Sequence, residues 1–234
     1  EFNNPLSSML SLSTSLLNSS NDEKVTFIGQ TIQEEAHQLN FQINNIITAA
    51  EIESGTLDLQ ISPVDFDEII LQLKEDLKYP IKNKNSKLNI NILSENDFAY
   101  DREKVYRILI NLISNAVEYS PNESLIEVEI FEEVDDFKIL VKDYGEGIQE
   151  EEKEKIFNRF YQAHSGMNRA HRGQGLGLSV IQDLVGFLNG HIKFDSKINT
   201  YTIFEITLPK LSKESSLFDD DDFMFSDFNN SSEF

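Results

Sequence analysis

The stretch D-Y-G-E-G-I at residues 143–148 follows an alternating apolar segment, F-K-I-L-V-K at 137–142. The alternation predicts a strand that ends at Asp143, with Gly145 and Gly147 in the turn that follows. A buried carboxylate there would accept a hydrogen bond from the amino group of adenine and repel the carbonyl oxygen of guanine. Asp and Gly also form ordinary turns after strands, so this stretch alone leaves a turn and a nucleotide site both open.

A second glycine-rich stretch, G-Q-G-L-G-L at 173–178, precedes a predicted helix at about 177–189. Glycine permits close approach of the backbone to a ligand, and the first N–H groups of a helix are available to phosphate. The dinucleotide-binding motif would follow a first strand, whereas this stretch follows a loop, which argues against that fold. The sequence also lacks the G-x-x-x-x-G-K-S/T motif of P-loop enzymes.

A pair of asparagines lies in N-L-I-S-N-A at 111–116, within a long predicted helix at 102–119. Asn111 and Asn115 are four residues apart, so they share one face of that helix. Two amide oxygens there would suit a hard cation such as Mg²⁺, which keeps water and phosphate oxygens among its ligands. An isolated N-x-x-x-N is more often a pair of surface or capping amides, so its meaning depends on the neighbouring stretches.

Together with I-F-N-R-F-Y at 156–161, these stretches resemble, in order and spacing, the N, G1, F and G2 boxes of sensor histidine kinases of the GHKL ATPase superfamily. The resemblance covers residues 1–208. It implies ATP and Mg²⁺ as cofactors, with Asn115 as the principal Mg²⁺ ligand, Asn111 as its support and Asp143 as the adenine-selecting carboxylate. It places further residues around the nucleotide or in a lid over it: Gly145, Gly147, Ile148, Phe160, Tyr161, Arg172, Gly173, Gln174, Gly175, Leu176, Gly177 and Leu178.

Two positions refine what the resemblance implies. Gyrase-type members carry Glu at the position of Asn111, and an Asn cannot act as a general base, which favours phosphoryl transfer over hydrolysis. Glu118 stands where many members have Lys or Arg near the phosphates. An acid there would repel the charge of ATP unless it faces away. The candidates for compensating it are Arg107, Arg159, Arg169 and Arg172, although any one of them is more often an ordinary surface arginine. The polar run from Tyr161 to Gln174 is expected to form a mobile lid.

The chain starts with E-F-N-N-P-L, which fits the family's acceptor motif at every position after its His. The phospho-accepting His is therefore expected immediately before Glu1, and it is cut off, modified and unrecorded, or absent. By resemblance, Glu1 accepts the imidazole proton during transfer. Asn4 matches the polar residue that positions water for dephosphorylating the partner regulator. Glu1 and Asn4 are the predicted catalytic residues of this segment.

The predicted fold class is α+β, in four parts. Residues 1–55 read as a helical hairpin with a heptad-like apolar seam from Val25 to Ala50, which predicts a homodimeric four-helix bundle. Residues 56–62 read as a linker. Residues 63–210 read as an ATP-binding two-layer α/β sandwich of the GHKL type, and residues 211–234 as an acidic disordered tail. Within the sandwich the predicted elements are helices at 67–79, 102–119, 150–160 and 177–189, strands at 87–93, 124–133 and 137–143, and a hairpin at 191–208.

Composition limits the partners. The 234 residues include 41 acidic and 20 basic ones, a net charge of −21, which argues against nucleic acid or an anionic membrane surface as partner. The sequence contains no run of about 18 apolar residues, so no membrane span is predicted. The absence of Cys fits a reducing compartment.

The expected function is a cytoplasmic histidine kinase core, free or attached to a membrane-anchored sensor, that passes phosphate from its His to an Asp of a response regulator. The alternatives are a non-catalytic ATP-binding scaffold and a net phosphatase.

Overall fold

A five-stranded mixed sheet forms the base of the larger part of the molecule in a computed structural model that describes residues 3–19, 22–93, 98–162 and 175–210. Its strands are β2 (Lys87–Leu93), β4 (Leu125–Glu132), β5 (Asp136–Asp143), β6 (His191–Lys197) and β7 (Tyr201–Pro209), in the spatial order β2-β4-β5-β7-β6. Only the β2–β4 pair is parallel among these strands. Buried residues alternate along β5 and β7, as expected when one face packs on a core and the other faces water.

Helices cover the apolar face of this sheet. They are α3 (Phe66–Asp76), α4 (Lys78–Lys84), α5 (Arg102–Tyr119) and α6 (Gly177–Phe187). The buried stripe of α5 includes Ile108, Leu112 and Ile113, which join the same core cluster as Ile139 and Ile206 of the sheet. The α+β class and the two-layer arrangement predicted from the sequence are confirmed.

The first predicted helix of this layer, 67–79, is wrong in its extent, because the structure has two helices there. Leu77 lies between α3 and α4 with φ −93° and ψ 0°, and the second helix continues to Lys84. Leu77 is itself buried, so its side chain remains in the core while the backbone breaks. The spacing of apolar residues by three or four positions continues across the break. The sequence pattern therefore predicted one helix.

A two-stranded sheet was not predicted. It pairs β1 (Ile61–Val64) with β3 (Phe98–Asp101) in antiparallel register. The carboxylate of Asp101 links this sheet to the long helix, since Oδ1 caps α5 by accepting from the Lys104 N–H and Oδ2 accepts from the Gln60 N–H. Both strands have only four residues and β1 contains Pro63, so neither carries a strong strand signal.

The short helix predicted at 150–160 is also wrong. The segment is a succession of turns, with i→i+3 backbone hydrogen bonds from the N–H groups of Glu152, Lys153 and Lys155. Four glutamates between 150 and 154 repel one another, and like charges three or four residues apart oppose a regular helix. The segment therefore leads from β5 to residues 160–162 as an irregular connection.

The amino-terminal part is a helical hairpin of α1 (Asn3–Ser19) and α2 (Glu23–Ser54). Asp22 caps α2 through the Lys24 N–H, and Gly55 ends it in the left-handed conformation with φ 67°. Several seam residues stay exposed on this hairpin: Ile28, Ile32, Leu39 and Ile46. Within the described part of the chain, no helix has the length and apolar character that a membrane crossing requires. The predicted tail at 211–234 lies outside the described residues.

Candidate functional site

A cavity of about 660 Å³ lies between α2, α4, α5 and the start of α6. Its walls include both residues of the N-x-x-x-N pair, Asn111 and Asn115, and Tyr161 from the segment after the turns. The start of α6 closes another side, through Gly175, Leu176, Gly177 and Leu178. The structure thus brings together at one cavity residues from three of the four sequence stretches that are far apart along the chain.

The start of α6 comes very close to the asparagine pair. A Cβ at Gly177 would lie 3.1 Å from Asn111 Oδ1 and 3.6 Å from Asn115 Oδ1, so glycine is what allows this approach. Leu176 precedes the helix without a side-chain cap, so no described side chain caps the first N–H groups. An uncapped helix start beside a half-buried amide is suited to bind a phosphate group and its cation.

The amide of Asn115 fits a Mg²⁺ ion. It offers one neutral oxygen at the edge of a cavity with room for further ligands, and Mg²⁺ commonly takes few protein oxygens and completes its shell with phosphate and water. The side chain of Asn115 makes no hydrogen bond within the described residues. Those residues also hold no group of three or more His, Cys, Asp or Glu side chains that would form a cage of protein ligands.

Asn111 is engaged differently from Asn115. Its amide forms a reciprocal pair with Asn45 of α2, with Asn45 Nδ2 donating to Asn111 Oδ1 at 2.8 Å and Asn111 Nδ2 donating to Asn45 Oδ1 at 3.1 Å. Nδ2 also donates to the Arg107 carbonyl at 2.8 Å. Both amides are buried, with 6% of Asn45 and 1% of Asn111 exposed. In this arrangement the oxygen of Asn111 is occupied by the hairpin.

Further contacts hold α2 against this side of the molecule. Arg107 donates to the Thr48 hydroxyl at 2.8 Å and forms an ion pair with Glu103 at 2.9 Å. Ala49 is buried in the sheet's core cluster, and Arg159 forms an ion pair with Glu53 at 3.5 Å. Sequence reasoning missed Asn45. A signal was present, because Asn45, Thr48 and Ala49 are spaced by three and four residues and form a second face of α2, with polar and apolar members, beside the apolar seam.

Asp143 ends β5, as predicted, and is buried. Burial raises the pKa of its carboxyl to about 6, while the hydrogen bond that Oδ1 accepts from the Gly145 N–H at 2.9 Å acts in the opposite direction. A Cβ at Gly145 would lie 2.3 Å from the carbonyl oxygen of Tyr119, a residue of the cavity wall. The G1 stretch therefore packs directly on the end of α5, next to the cavity.

Gly147 and Ile148 serve a different local role from Gly145. Gly147 has φ +71°, and a Cβ on it would lie 2.6 Å from the Lys197 carbonyl oxygen. The Ile148 N–H donates to Ser196 Oγ at 2.9 Å, and the Ile148 side chain packs on the core. These two residues anchor the turn on the β6–β7 hairpin and are not among the residues that line the cavity.

Phe160 and Gly175 lie on either side of residues 163–174 in the sequence and contact each other. The Phe160 N–H donates to the Gly175 carbonyl at 2.8 Å, and Gly175 adopts φ +69°. A Cβ at Gly175 would lie 2.6 Å from the Tyr161 carbonyl oxygen, so no other residue fits there without a shift. Phe160 leaves 72% of its side chain exposed, whereas Phe157 packs edge-on against Phe194.

Several predicted site residues cannot be placed. Arg172, Gly173, Gln174 and Glu1 lie outside the described residues, as does the rest of the predicted lid from 163 onward. Asn4 belongs to α1, and its side chain is likewise outside the description.

Sequence reasoning also missed Lys84, the last residue of α4. Its Nζ donates to the backbone carbonyl of Glu118 and, at 2.8 Å, to that of Ser120. Both Lys84 and Glu118 line the cavity. No sequence signal joins residues 84 and 118, because they meet only when α4 packs on α5.

The chain resembles known proteins in both of its parts. The family model for histidine kinase-, DNA gyrase B- and HSP90-like ATPases matches residues 100–212, and that for the His kinase A (phospho-acceptor) domain matches residues 1–55. Sensor protein RprX of Bacteroides fragilis is 27% identical over 221 residues, which cover 92% of this chain and 42% of RprX. The sensor-like histidine kinase SenX3 of Mycobacterium bovis is 28% identical over 212 residues, 90% of this chain and 52% of SenX3.

Among solved structures, the crystal structure of full-length ShkA in complex with AMPPNP has a TM-score of 0.66. It is 19% identical, and the match covers 90% of this chain and 44% of ShkA, so this likeness concerns the fold. The chain spans about half or less of the length of the two curated relatives. A phospho-acceptor module followed by this ATPase module is the order found here, and the chain belongs to the sensor histidine kinases of two-component systems.

Proposed function

We propose that this chain binds Mg-ATP in the cavity between α2 and α5 and transfers the γ-phosphoryl group to a His immediately before Glu1. The phosphoryl group then passes to an Asp of a response-regulator receiver domain. The observation that carries the proposal is the meeting of Asn115 and the uncapped start of α6 at one cavity. The direct test is uptake of γ-labelled phosphate by the chain with a His placed before Glu1.

In this proposal each group has a limited task. Asn115 would hold the Mg²⁺, which would neutralise phosphate charge, and the backbone N–H groups at the start of α6 would bind the phosphates. Asp143 accepts a hydrogen bond from the adenine amino group. The imidazole nitrogen bonds to the γ-phosphorus as the bond to the ADP oxygen breaks, and Glu1 accepts the imidazole proton. Asn111 cannot accept a proton, so activation of water is disfavoured and transfer is favoured. Positioning and electrostatics supply most of the rate.

We also propose which partners the protein binds and where it acts. The chain works as a homodimer through residues 1–55, meets a response regulator, and acts on the cytoplasmic side, where ATP is supplied. The exposed seam of the hairpin supports the dimer, because Ile28, Ile32, Leu39 and Ile46 would otherwise leave an apolar stripe in water. A groove beside this seam, lined by Met9, Ile32 and Leu39 among others, offers space for a partner's side chains.

Leu39→Glu is expected to convert the dimer to monomers at micromolar concentration. Leu39 is 45% exposed in the single chain, and two-fold symmetry would bring two buried charges into one interface. Light scattering measures the mass. The matched control is Leu71→Glu on α3, which is 69% exposed and is not part of the hairpin, and it should leave the dimer intact. A dimeric Leu39→Glu chain would rule out this interface.

Mg-ATP competes with Asn45 for Asn111 in this arrangement. Asn45→Ala should therefore tighten Mg-ATP binding, by roughly three- to tenfold if the reciprocal pair contributes about 1 kcal/mol. Asn91→Ala on β2 is the control, since Asn91 is exposed and is not among the residues that line the cavity. Titration calorimetry measures both affinities. Equal affinities of wild type and Asn45→Ala would show that the pair does not restrain the site.

A further inference from the structure

Lys84 crosses the carboxyl-terminal end of α5. Its Nζ donates to the carbonyls of Glu118 and Ser120, which are backbone acceptors at or just beyond the last turn of that helix. The last turn of α5 contains no basic residue of its own, and Glu118 adds a negative charge to the negative end of the helix dipole. The cation at this helix end therefore comes from α4, a different element of the fold.

The cavity is strongly acidic. Among the described residues, five carboxylates line it: Glu34, Glu35, Asp76, Glu103 and Glu118. Among the same described residues, two cationic side chains line the cavity, Lys84 and Arg107. Arg107 forms an ion pair with Glu103 and donates to Thr48, so its charge is committed to the contact with α2. Lys84 is thus the described cation that remains for an anionic ligand.

The chemistry of the Lys84 ammonium suits this task. An ammonium has three N–H donors, and the carbonyls of Glu118 and Ser120 use two of them, which leaves one for a ligand. Burial lowers the pKa of Lys84, while the carboxylates of Glu118 and Glu146 raise it and so favour the charged form. Glu118 is three residues after Asn115 on α5, so the two lie on neighbouring positions of one helix face.

We propose that Lys84 supplies the positive charge for the phosphates of a nucleoside di- or triphosphate that Glu118 cannot supply. This inference rests on the proposed binding of Mg-ATP. In this chain the cation expected at position 118 is replaced by one that reaches the same end of α5 from α4. Lys84 both neutralises Glu118 and presents its third N–H to the phosphates.

The test compares nucleotides that differ in phosphate charge, using the full 234-residue chain. Lys84→Met keeps the length of the side chain and removes its charge. The dissociation constants for ATP and ADP should rise about tenfold, as expected for loss of one charge-assisted hydrogen bond, while that for adenosine should change less than twofold. The salt dependence of ATP binding should also become shallower. Lys84→Arg should keep the preference for ATP over adenosine.

Two further variants separate charge from structure. Lys82→Met, on the exposed side of the same helix, should leave every affinity unchanged. Glu118→Gln should tighten ATP binding several-fold in the native chain and recover most of the affinity lost in Lys84→Met. This second variant keeps the proposal testable even if Lys84→Met does not fold.

The possible results are distinct. A wild-type chain that binds neither ATP nor ADP would overturn both the proposed function and this inference. A wild-type chain that binds ATP normally, with an unchanged ratio of ATP to adenosine affinity in Lys84→Met, would overturn this inference alone. Equal weakening of all three ligands together with a lower melting temperature would assign Lys84 to holding α5 in place, which also overturns it.

Discussion

Replacing Asp143 with Asn should weaken ATP binding by about 30-fold or more and leave the fold intact. The carboxylate is buried at the end of β5, where Oδ1 accepts from Gly145 and Oδ2 accepts no hydrogen bond from the described residues. A charged acceptor for the adenine amino group contributes about 2 kcal/mol or more to the binding free energy. The amide of the Asn in Asp143→Asn could instead direct its own NH₂ group at that amino group, where both are donors. Calorimetry with Mg-ATP measures the loss.

Asp136→Asn is the matched control, because it makes the same change at the other end of β5. Its ATP affinity should equal that of the wild type. Asp143→Asn should also reduce the preference for ATP over GTP, since the repulsion of the guanine carbonyl disappears with the charge. An unchanged ATP affinity in Asp143→Asn would refute the assignment of the adenine pocket.

The pH dependence follows from the same carboxyl group. Burial raises its pKa to about 6, so the group loses its charge as the pH falls through 6. ATP affinity should therefore be roughly tenfold lower at pH 5 than at pH 7.5. The phosphates of ATP also gain protons in this range, so the Asp143→Asn chain serves as the reference and should show a shallower slope. Identical slopes in the two chains would contradict the prediction.

The sign for stability is opposite to that for binding. A native pKa above the ordinary value means that the native state binds the proton more tightly than the unfolded state. The free energy of unfolding therefore decreases as the pH rises from about 4 to about 6, and the ionised form costs stability above that range. Asp143→Asn should thus melt at an equal or higher temperature than the wild type at pH 7.5, which separates lost binding from misfolding.

The sequence predicted where in the fold the residues of its short motifs would lie. Asp143, Asn115 and Gly175 each sit where a local pattern already demands a strand end, a helix face or a glycine-only conformation. The long helix is predicted at 102–119 and observed at Arg102–Tyr119, because Asp101 caps its start and a continuous apolar stripe runs along it. Local chemistry was sufficient at these positions.

What the sequence could not predict depends on contacts between distant residues. Lys84 meets Glu118, and Asn45 meets Asn111, only after separate helices have packed. Of the arginines considered as compensation for Glu118, Arg107 is engaged by Glu103 and Thr48, and Arg159 is engaged by Glu53 and Asp183. Arg169 and Arg172 lie outside the described residues. The break at Leu77 keeps an apolar side chain in register, so periodicity did not reveal it. Periodicity reports which face is buried and not which partner covers it.

The prediction with the largest expected effect concerns phosphoryl transfer. A chain extended by one His directly before Glu1 should take up label from γ-labelled ATP in the presence of Mg²⁺, and the label should be acid-labile and base-stable, as a phosphoramidate is. The same chain with Ala in place of that His should take up none. Asn115→Asp should reduce labelling by roughly 100-fold or more, because it adds a negative charge beside the phosphates where a neutral ligand is required.

The controls for this experiment identify the step that fails. Asn122→Asp makes the same substitution in an exposed turn and should label normally. Glu1→Gln should slow labelling without weakening ATP binding, since it removes a proton acceptor and no nucleotide contact. Because hydrolysis needs a base that Asn111 cannot provide, label should accumulate on the protein faster than free phosphate appears. If the extended chain binds Mg-ATP and is dimeric yet takes up no label, transfer is excluded and an ATP-binding scaffold becomes the better description, with Glu118 as its first candidate cause.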